Sequence, residues 1–378
     1  MKLGAYVREK SVIVVCGAGG VGKTTTSAAL ALAAARAGRK SLVLTIDPAR
    51  RLAQALGIPP TGKEPVIIDG ALLDGAQIHF PPSGELSAWM LDPRVVLESV
   101  VDRFAPSAED AETIRETNLY QALCEVMAGL QEYTAAEALF TFHEAERYDL
   151  IVLDTPPSRN ALDFLDAPRR LARFLDERTL AIFAPETAER ASAMVRAASK
   201  IVATTFSRTF GEAFATELRT FLGAFGKLFS RMRVHASGVR ELLRSPKAAF
   251  LVVTSPDPAA REEAQYFQKR IAELGLVNEG FVLNRSFAFS GPIEVPERIR
   301  ERLGIDEGPL VSALEKLIPL ALIESEQVIR HRQLLEELNS ESAKHEGRGA
   351  TALPYLDTAV ESVGALDILA SAILADRD

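Results

Sequence analysis

The chain of 378 residues is nearly without cysteine: Cys16 and Cys124 are the only two. That excludes a disulfide framework and a thiolate metal cluster, and it fits a reducing compartment. Histidine is scarce as well, and the five positions (79, 143, 235, 331 and 345) form no metal-ligand spacing. No stretch reaches the roughly 18–20 uncharged apolar residues of a membrane span. Residues 358–374 come closest, but Glu361 and Asp367 interrupt them. Met1–Lys10 mixes charge with apolar residues and lacks the apolar centre of a signal peptide. Positive charge is in deficit, with a formal net charge of −8, so no nucleic-acid partner is expected. The expectation is a cytoplasmic protein, soluble or at most peripheral to a membrane.

What is present is an ordinary globular composition, 47% apolar and 25% charged. Short runs rich in Val, Ile and Leu occur at Ser11–Cys16, Ser41–Ile46, Leu150–Leu153, Phe250–Val253 and Phe281–Leu283. Each gives way to Gly, Asp, Ser or Asn, the pattern of parallel strands buried on both faces. Helical stretches such as Lys23–Ala37 and Arg261–Leu274 separate them. The reading is α/β, a doubly wound and mostly parallel sheet, as one domain over residues 1–378. Thr351–Pro354 reads as a return to the sheet before a last helix, and Asn339–Ala350 as an exposed loop. Two long helical insertions, about 93–147 and 161–244, are expected to form a subdomain on one edge.

The segment Gly17-Ala18-Gly19-Gly20-Val21-Gly22-Lys23-Thr24 matches the Walker A pattern at every fixed position, and Thr25 follows. Glycines let backbone N–H groups curl around phosphate oxygens, and the next helix offers its positive end. Lys23 suits the β- and γ-phosphates of ATP, or the β-phosphate of ADP, and the Thr24 hydroxyl suits Mg²⁺. Other strand ends should meet at the same crevice. Asp47 and Asp154 close two of them, where a carboxylate can order the attacking water or reach Mg²⁺ through water. The competing reading for each is a helix-cap or turn aspartate. Asn284 ends a later strand, either to recognise adenine through its amide or simply as a turn residue.

The stretches GAGGVGKTT, LTIDPARRLAQALG, LIVLDTPPSRNALDFLDAP and FLVVTSPDP resemble the ArsA family, within the deviant-Walker class of dimeric P-loop ATPases. That family includes the arsenite-pump ATPase, the ATPase that guides tail-anchored membrane proteins, and bacterial paired paralogues. The resemblance implies that Asp47 is a switch I aspartate polarising the attacking water; Lys23, read from the loop itself, is the other catalytic candidate. It implies that Asp154 is a switch II aspartate near Mg²⁺, and that Asn284, Pro354 and Tyr355 line the adenine pocket. Two departures stand out. Where the family carries a second lysine that reaches into the partner's site of a nucleotide-sandwich dimer, this chain has Ala18. The cysteines that bind metalloid or zinc in some members have no counterparts here.

Phe206, Phe210, Phe214, Leu218, Phe221, Phe225 and Phe229 recur every three or four residues, a single stripe on a helix. Residues 190–247 also carry eleven Lys or Arg against three Glu, a surplus of eight, so the remainder carries −16. Such a stripe can bind a hydrophobic client, a membrane surface or a partner subunit, or it can be internal core. Trp89, Met90, Tyr120, Met127 and Tyr133 read as core. The leading expectation is an ATPase whose nucleotide state reshapes the helical region. The alternative is a low-turnover regulatory or structural subunit of a heteromeric ATPase. Either is expected to work as a dimer: a heterodimer with a paralogue that supplies the lysine missing at Ala18, or a homodimer in which another cation such as Arg50 or Arg51 replaces it.

Overall fold

A computed structural model of the chain describes residues 1–45, 51–59, 62–105, 107–118, 120, 131–156, 211–213, 216–217, 237–276, 278–290, 296–304, 308–345, 347–357, 360 and 362–375. Asp47, the phenylalanine stripe and most of the expected second insertion lie outside these residues. The elements in order are α1 (Leu3–Glu9), β1 (Val12–Gly17), α2 (Lys23–Arg36), β2 (Lys40–Thr45), α3 (Arg51–Leu56), β3 (Val66–Ile67), α4 (Gly70–Gly75) and β4 (Glu85–Met90). Then come α5 (Pro93–Phe104), α6 (Ala108–Glu116), α7 (Gln131–Glu144), β5 (Leu150–Asp154) and β6 (Ala248–Thr254). The chain continues with α8 (Pro258–Glu273), β7 (Asn278–Ser286), α9 (Pro296–Leu303), α10 (Pro309–Lys344), β8 (Ala350–Pro354) and α11 (Val363–Leu374).

The strands form one sheet in the order β3-β4-β2-β5-β1-β6-β7-β8. Every pairing is parallel except the short edge pair of β3 with β4. The path runs outward on both sides of β1, so a crevice opens at its carboxyl end, the usual ligand position in such sheets. Alternate residues of β1 feed two cores, because successive side chains point to opposite faces. Val12, Val14 and Cys16 pack with α5, α7 and α8, while Ile13 and Val15 pack with α2 and α11. Ala28 to Ala35 of α2 are all buried. The small alanine side chains let that helix lie close to the sheet with α11 over it, and Arg36 pairs with Asp367 at 2.8 Å.

The parallel α/β reading of the sequence agrees with this fold. Helices α5, α6 and α7 occupy residues the sequence assigned to the first insertion. The strand β4 was not foreseen, because Glu-Leu-Ser-Ala-Trp-Met carries no β-branched run; its ladder with β2 makes it a strand. The loop expected at Asn339–Ala350 is a correction, since α10 runs on to Lys344. Two polar side chains at that end, Asn339 and Ser342, cap the turn instead. Asn339 Oδ1 accepts from Ala350 N–H, and buried Ser342 accepts from Gly349 N–H at 3.0 Å. The apolar stretch near the C-terminus becomes α11, whose Leu366, Leu369 and Ile373 are buried. Among the described residues no helix is long and apolar enough to cross a membrane.

Candidate functional site

Where β1 ends, Gly17 takes φ +147° and a Cβ would collide with the Val253 carbonyl of β6. Gly22, the residue before α2, takes φ +91°, and a Cβ there would overlap the Asn284 amide. Only glycine fits both demands, so the loop can turn sharply and lie against its neighbours. Gly19 and Gly20 form the turn between them. Val21 is buried beneath it, and its carbonyl accepts from Asn284 Nδ2 at 2.9 Å. The Lys23 ammonium, itself buried, folds back to the Ala18 carbonyl at 2.8 Å. A cation is thus held against a glycine-rich loop at the start of a helix, a combination that favours anions.

The carboxylate of Asp154 is fully buried at the end of β5. Thr24 Oγ1 donates to its Oδ2 at 2.7 Å, Thr45 Oγ1 donates to the same oxygen at 2.8 Å, and Ser27 Oγ donates to Oδ1 at 3.4 Å. Burial of a charged carboxylate is tolerable only with such donors. Neighbouring Thr155 ties the strand end to β1 through the Val15 carbonyl at 2.8 Å. Burial pushes the Cys16 thiol up to about 12, although the hydrogen bond from Thr155 and the nearby Lys23 lower it. That cysteine is packing and no nucleophile.

Thr24, Thr25, Asn284, Pro354 and Tyr355 line one cleft of about 500 Å³. The pairing of β7 with β8 shifts between Leu283 and Ser286, and Arg285 there has φ +56°. Irregularities of this kind re-aim side chains, and here Asn284 faces the phosphate loop. The structure therefore brings together every expected site residue except Asp47, which lies outside the described residues. Asn284 has part of its amide committed to Val21, a contact the sequence could not reveal. Thr45 and Ser27 were missed as partners of Asp154. Ser27 sits one helical turn after Lys23, a spacing that could have suggested it. Thr45 depends on the register that sets it opposite Asp154, which no local pattern encodes.

The family model described as anion-transporting ATPase matches residues 10–302. A Halobacterium salinarum protein with the provisional name arsenical pump-driving ATPase is 32% identical over 171 residues, covering 45% of this chain and 26% of that protein. An uncharacterized Streptomyces coelicolor protein is 28% identical over 277 residues, 72% of this chain and 62% of its own length. The Aspergillus terreus protein named ATPase get3 is 30% identical over 176 residues, 46% of this chain and 48% of that one. The matches span less than two thirds of these curated relatives. The family match covers most of this chain and contains the phosphate loop, Asp154 and Asn284, so the chain belongs to the ArsA family of anion-transporting ATPases.

Proposed function

We propose that this chain binds Mg-ATP in the cleft beside its phosphate loop and hydrolyses it. The observation that carries this reading is the junction of Thr24, Asp154 and Thr45, which links the loop helix to the ends of β5 and β2 beside Lys23. Loop N–H groups and Lys23 bind the phosphates and stabilise charge on the leaving oxygens. A carboxylate beside hydroxyl oxygens is a hard donor set that suits Mg²⁺, so Thr24 and Asp154 would hold it. When bound, it neutralises charge shared by the β- and γ-phosphates. Asp47, two residues beyond Thr45, orients the water. Asn284, Pro354 and Tyr355 receive the base. Replacing Lys23 by Ala should weaken ATP binding strongly and lower turnover by about 100-fold or more. Wild-type hydrolysis by that variant, measured by phosphate release, sinks the proposal.

The energy is coupled to a helical region that engages a hydrophobic client, a membrane surface or a partner subunit. Support comes from the basic phenylalanine stripe. Phe221→Ser combined with Phe225→Ser should spare nucleotide affinity and weaken that interaction; loss of nucleotide affinity and folding together would instead make the stripe internal core.

Ala18 favours a second reading, a chain with little turnover alone that works in a heterodimer with a lysine-bearing paralogue. Ala18 is only 7% exposed and belongs to the same buried cluster as Val21, so a lysine here must extend past the loop. Assaying the isolated Ala18→Lys chain decides the matter. A clear gain in turnover supports the missing-charge account, and brisk wild-type turnover with no gain removes it.

A further inference from the structure

Helix α10 crosses behind the loop that follows β7 and holds it at three points. The Phe287 N–H donates to His331 Nδ1 at 3.0 Å. Arg332 donates from Nε to the Ala288 carbonyl at 2.9 Å and from Nη2 to the Ser290 carbonyl at 3.1 Å. The Phe287 ring meets two others. His331 stacks on it with centroids 5.7 Å apart and planes at 22°, and Tyr355 packs against it at 5.0 Å and 30°. Tyr355 in turn donates its N–H to the Ser286 carbonyl at 3.1 Å and exposes nearly half of its surface, lining the cleft. A run of rings thus leads from α10 to the wall of the cleft.

We propose that His331 is a positioning residue for nucleoside binding: it fixes Phe287, and Phe287 backs the Tyr355 wall against which a base packs. This rests on the reading of the cleft as the nucleoside site. The bond to Phe287 exists only for the neutral imidazole with its proton on Nε2, because Nδ1 must accept. A protonated ring presents a donor to a donor, and the contact is lost. Burial and Arg330 hold the imidazole pKa below its ordinary value, so neutral solution preserves the bond and acid breaks it. Protons reach the ring from its far side, where His331 lines an open cleft of about 610 Å³ between α8 and α10. Among the described residues, the charged groups sharing that cleft are Arg330 and Glu337 of α10 and Arg261 and Glu262 of α8, with Arg261 paired to Glu337 at 2.9 Å. The loop from Phe287 to Ser290 brings no charge of its own.

The experiment compares the affinity of the full chain for Mg-ATP with that for magnesium tripolyphosphate, which lacks a base, by calorimetric titration. At one pH, comparing this ratio between variants isolates the base side. Tripolyphosphate has one more ionisable terminal group than ATP, so across pH each variant's ratio is read against another variant's, where ligand titration cancels. His331→Phe keeps a ring and removes the acceptor; the ratio should fall about 3- to 10-fold while tripolyphosphate affinity holds. His331→Asn returns an acceptor near the Nδ1 position and should recover most of the loss. As pH falls below about 6.5, the wild-type ratio should fall relative to the His331→Asn ratio. A ratio unchanged in His331→Phe, or equal pH profiles for wild type and His331→Asn, overturns the proposal. If His331→Phe fails to fold, the two pH profiles alone decide. Tyr355→Ala separates the two levels of argument. No change in its ratio removes the nucleoside reading of the cleft, whereas a fall in Tyr355→Ala without one in His331→Phe removes only the role of His331.

Discussion

Two buried carboxylates sit at opposite ends of the same sheet and are satisfied in different ways. Glu279, at the start of β7, accepts from the Lys10 ammonium at 2.9 Å, the Arg348 guanidinium at 3.1 Å and the Tyr6 hydroxyl at 3.1 Å. Lys10 also donates to the Pro246 carbonyl at 2.9 Å, which locks α1 against the strand ends. Asp154, at the end of β5, receives three hydroxyls from α2 and β2. A hydroxyl is donor and acceptor together, so Thr24 can turn from the carboxylate toward a cation without leaving an unpaired charge. The buried Lys10–Glu279 pair has no such freedom, because parting it strands two charges out of water, whereas Arg348 lies mostly in solvent. One end of the sheet is closed by charge and the other is held by exchangeable donors.

That contrast can be broken by substitution. The largest effect is expected from Asp154→Asn. Turnover should drop about 100- to 1,000-fold and lose its dependence on Mg²⁺ concentration, while the thermal midpoint changes little. A normal magnesium titration in this variant would place the metal elsewhere. Next is Glu279→Ala, which leaves Lys10 buried beside an empty acceptor and should cost about 3–5 kcal/mol in denaturant unfolding. Its ATP affinity should stay close to wild type; a large loss of affinity would show that the two ends are coupled. Exchanging Lys10 and Glu279 together for Met and Leu should restore most of that stability, which sharpens the view that this pair only closes the fold.

Tyr6→Phe removes one donor to Glu279 and should cost about 1 kcal/mol. Burial, with Glu279 beside it, raises the Tyr6 phenol above its usual value of 10.0. A phenol raised in the fold contributes stability below the unfolded value and loses it as pH climbs through the folded one. Alkaline unfolding should therefore begin later in Tyr6→Phe, relative to its own neutral stability, than in the wild type. The smallest effect concerns Cys16. Its thiol pKa rises from 9.0 to about 12, so stability from the neutral form is present below 9.0 and fades toward 12. Thiol alkylation near pH 8 should pass over Cys16 in the native chain and modify it after unfolding; rapid native labelling would contradict its buried position.

The phosphate loop was legible because its chemistry is local. Glycines, Lys23 and Thr24 act through backbone N–H groups and side chains within one turn, and the strand before it and helix after it announce themselves by composition. The same holds for β1, β5 and β6, whose apolar runs need burial on both faces. The residues around Asp154 were not legible in full. Thr45 reaches it because β2 and β5 pair in a register set by the whole sheet, and Asn284 reaches Val21 because β7 is irregular after Leu283. The misreading at Asn339–Ala350 has the same origin. Ser and Asn there look like solvated loop residues until the turn into β8 brings Gly349 and Ala350 back as their partners. Local sequence determined the glycines, Lys23 and Thr24 of the proposed phosphate site, since φ freedom, charge and helix start are properties of neighbours along the chain. Tertiary structure decided which hydroxyls surround Asp154, which helix stands behind Tyr355 and which cations close on Glu279, because hydrogen bonds between distant segments exist only once strand order and register bring donor to acceptor.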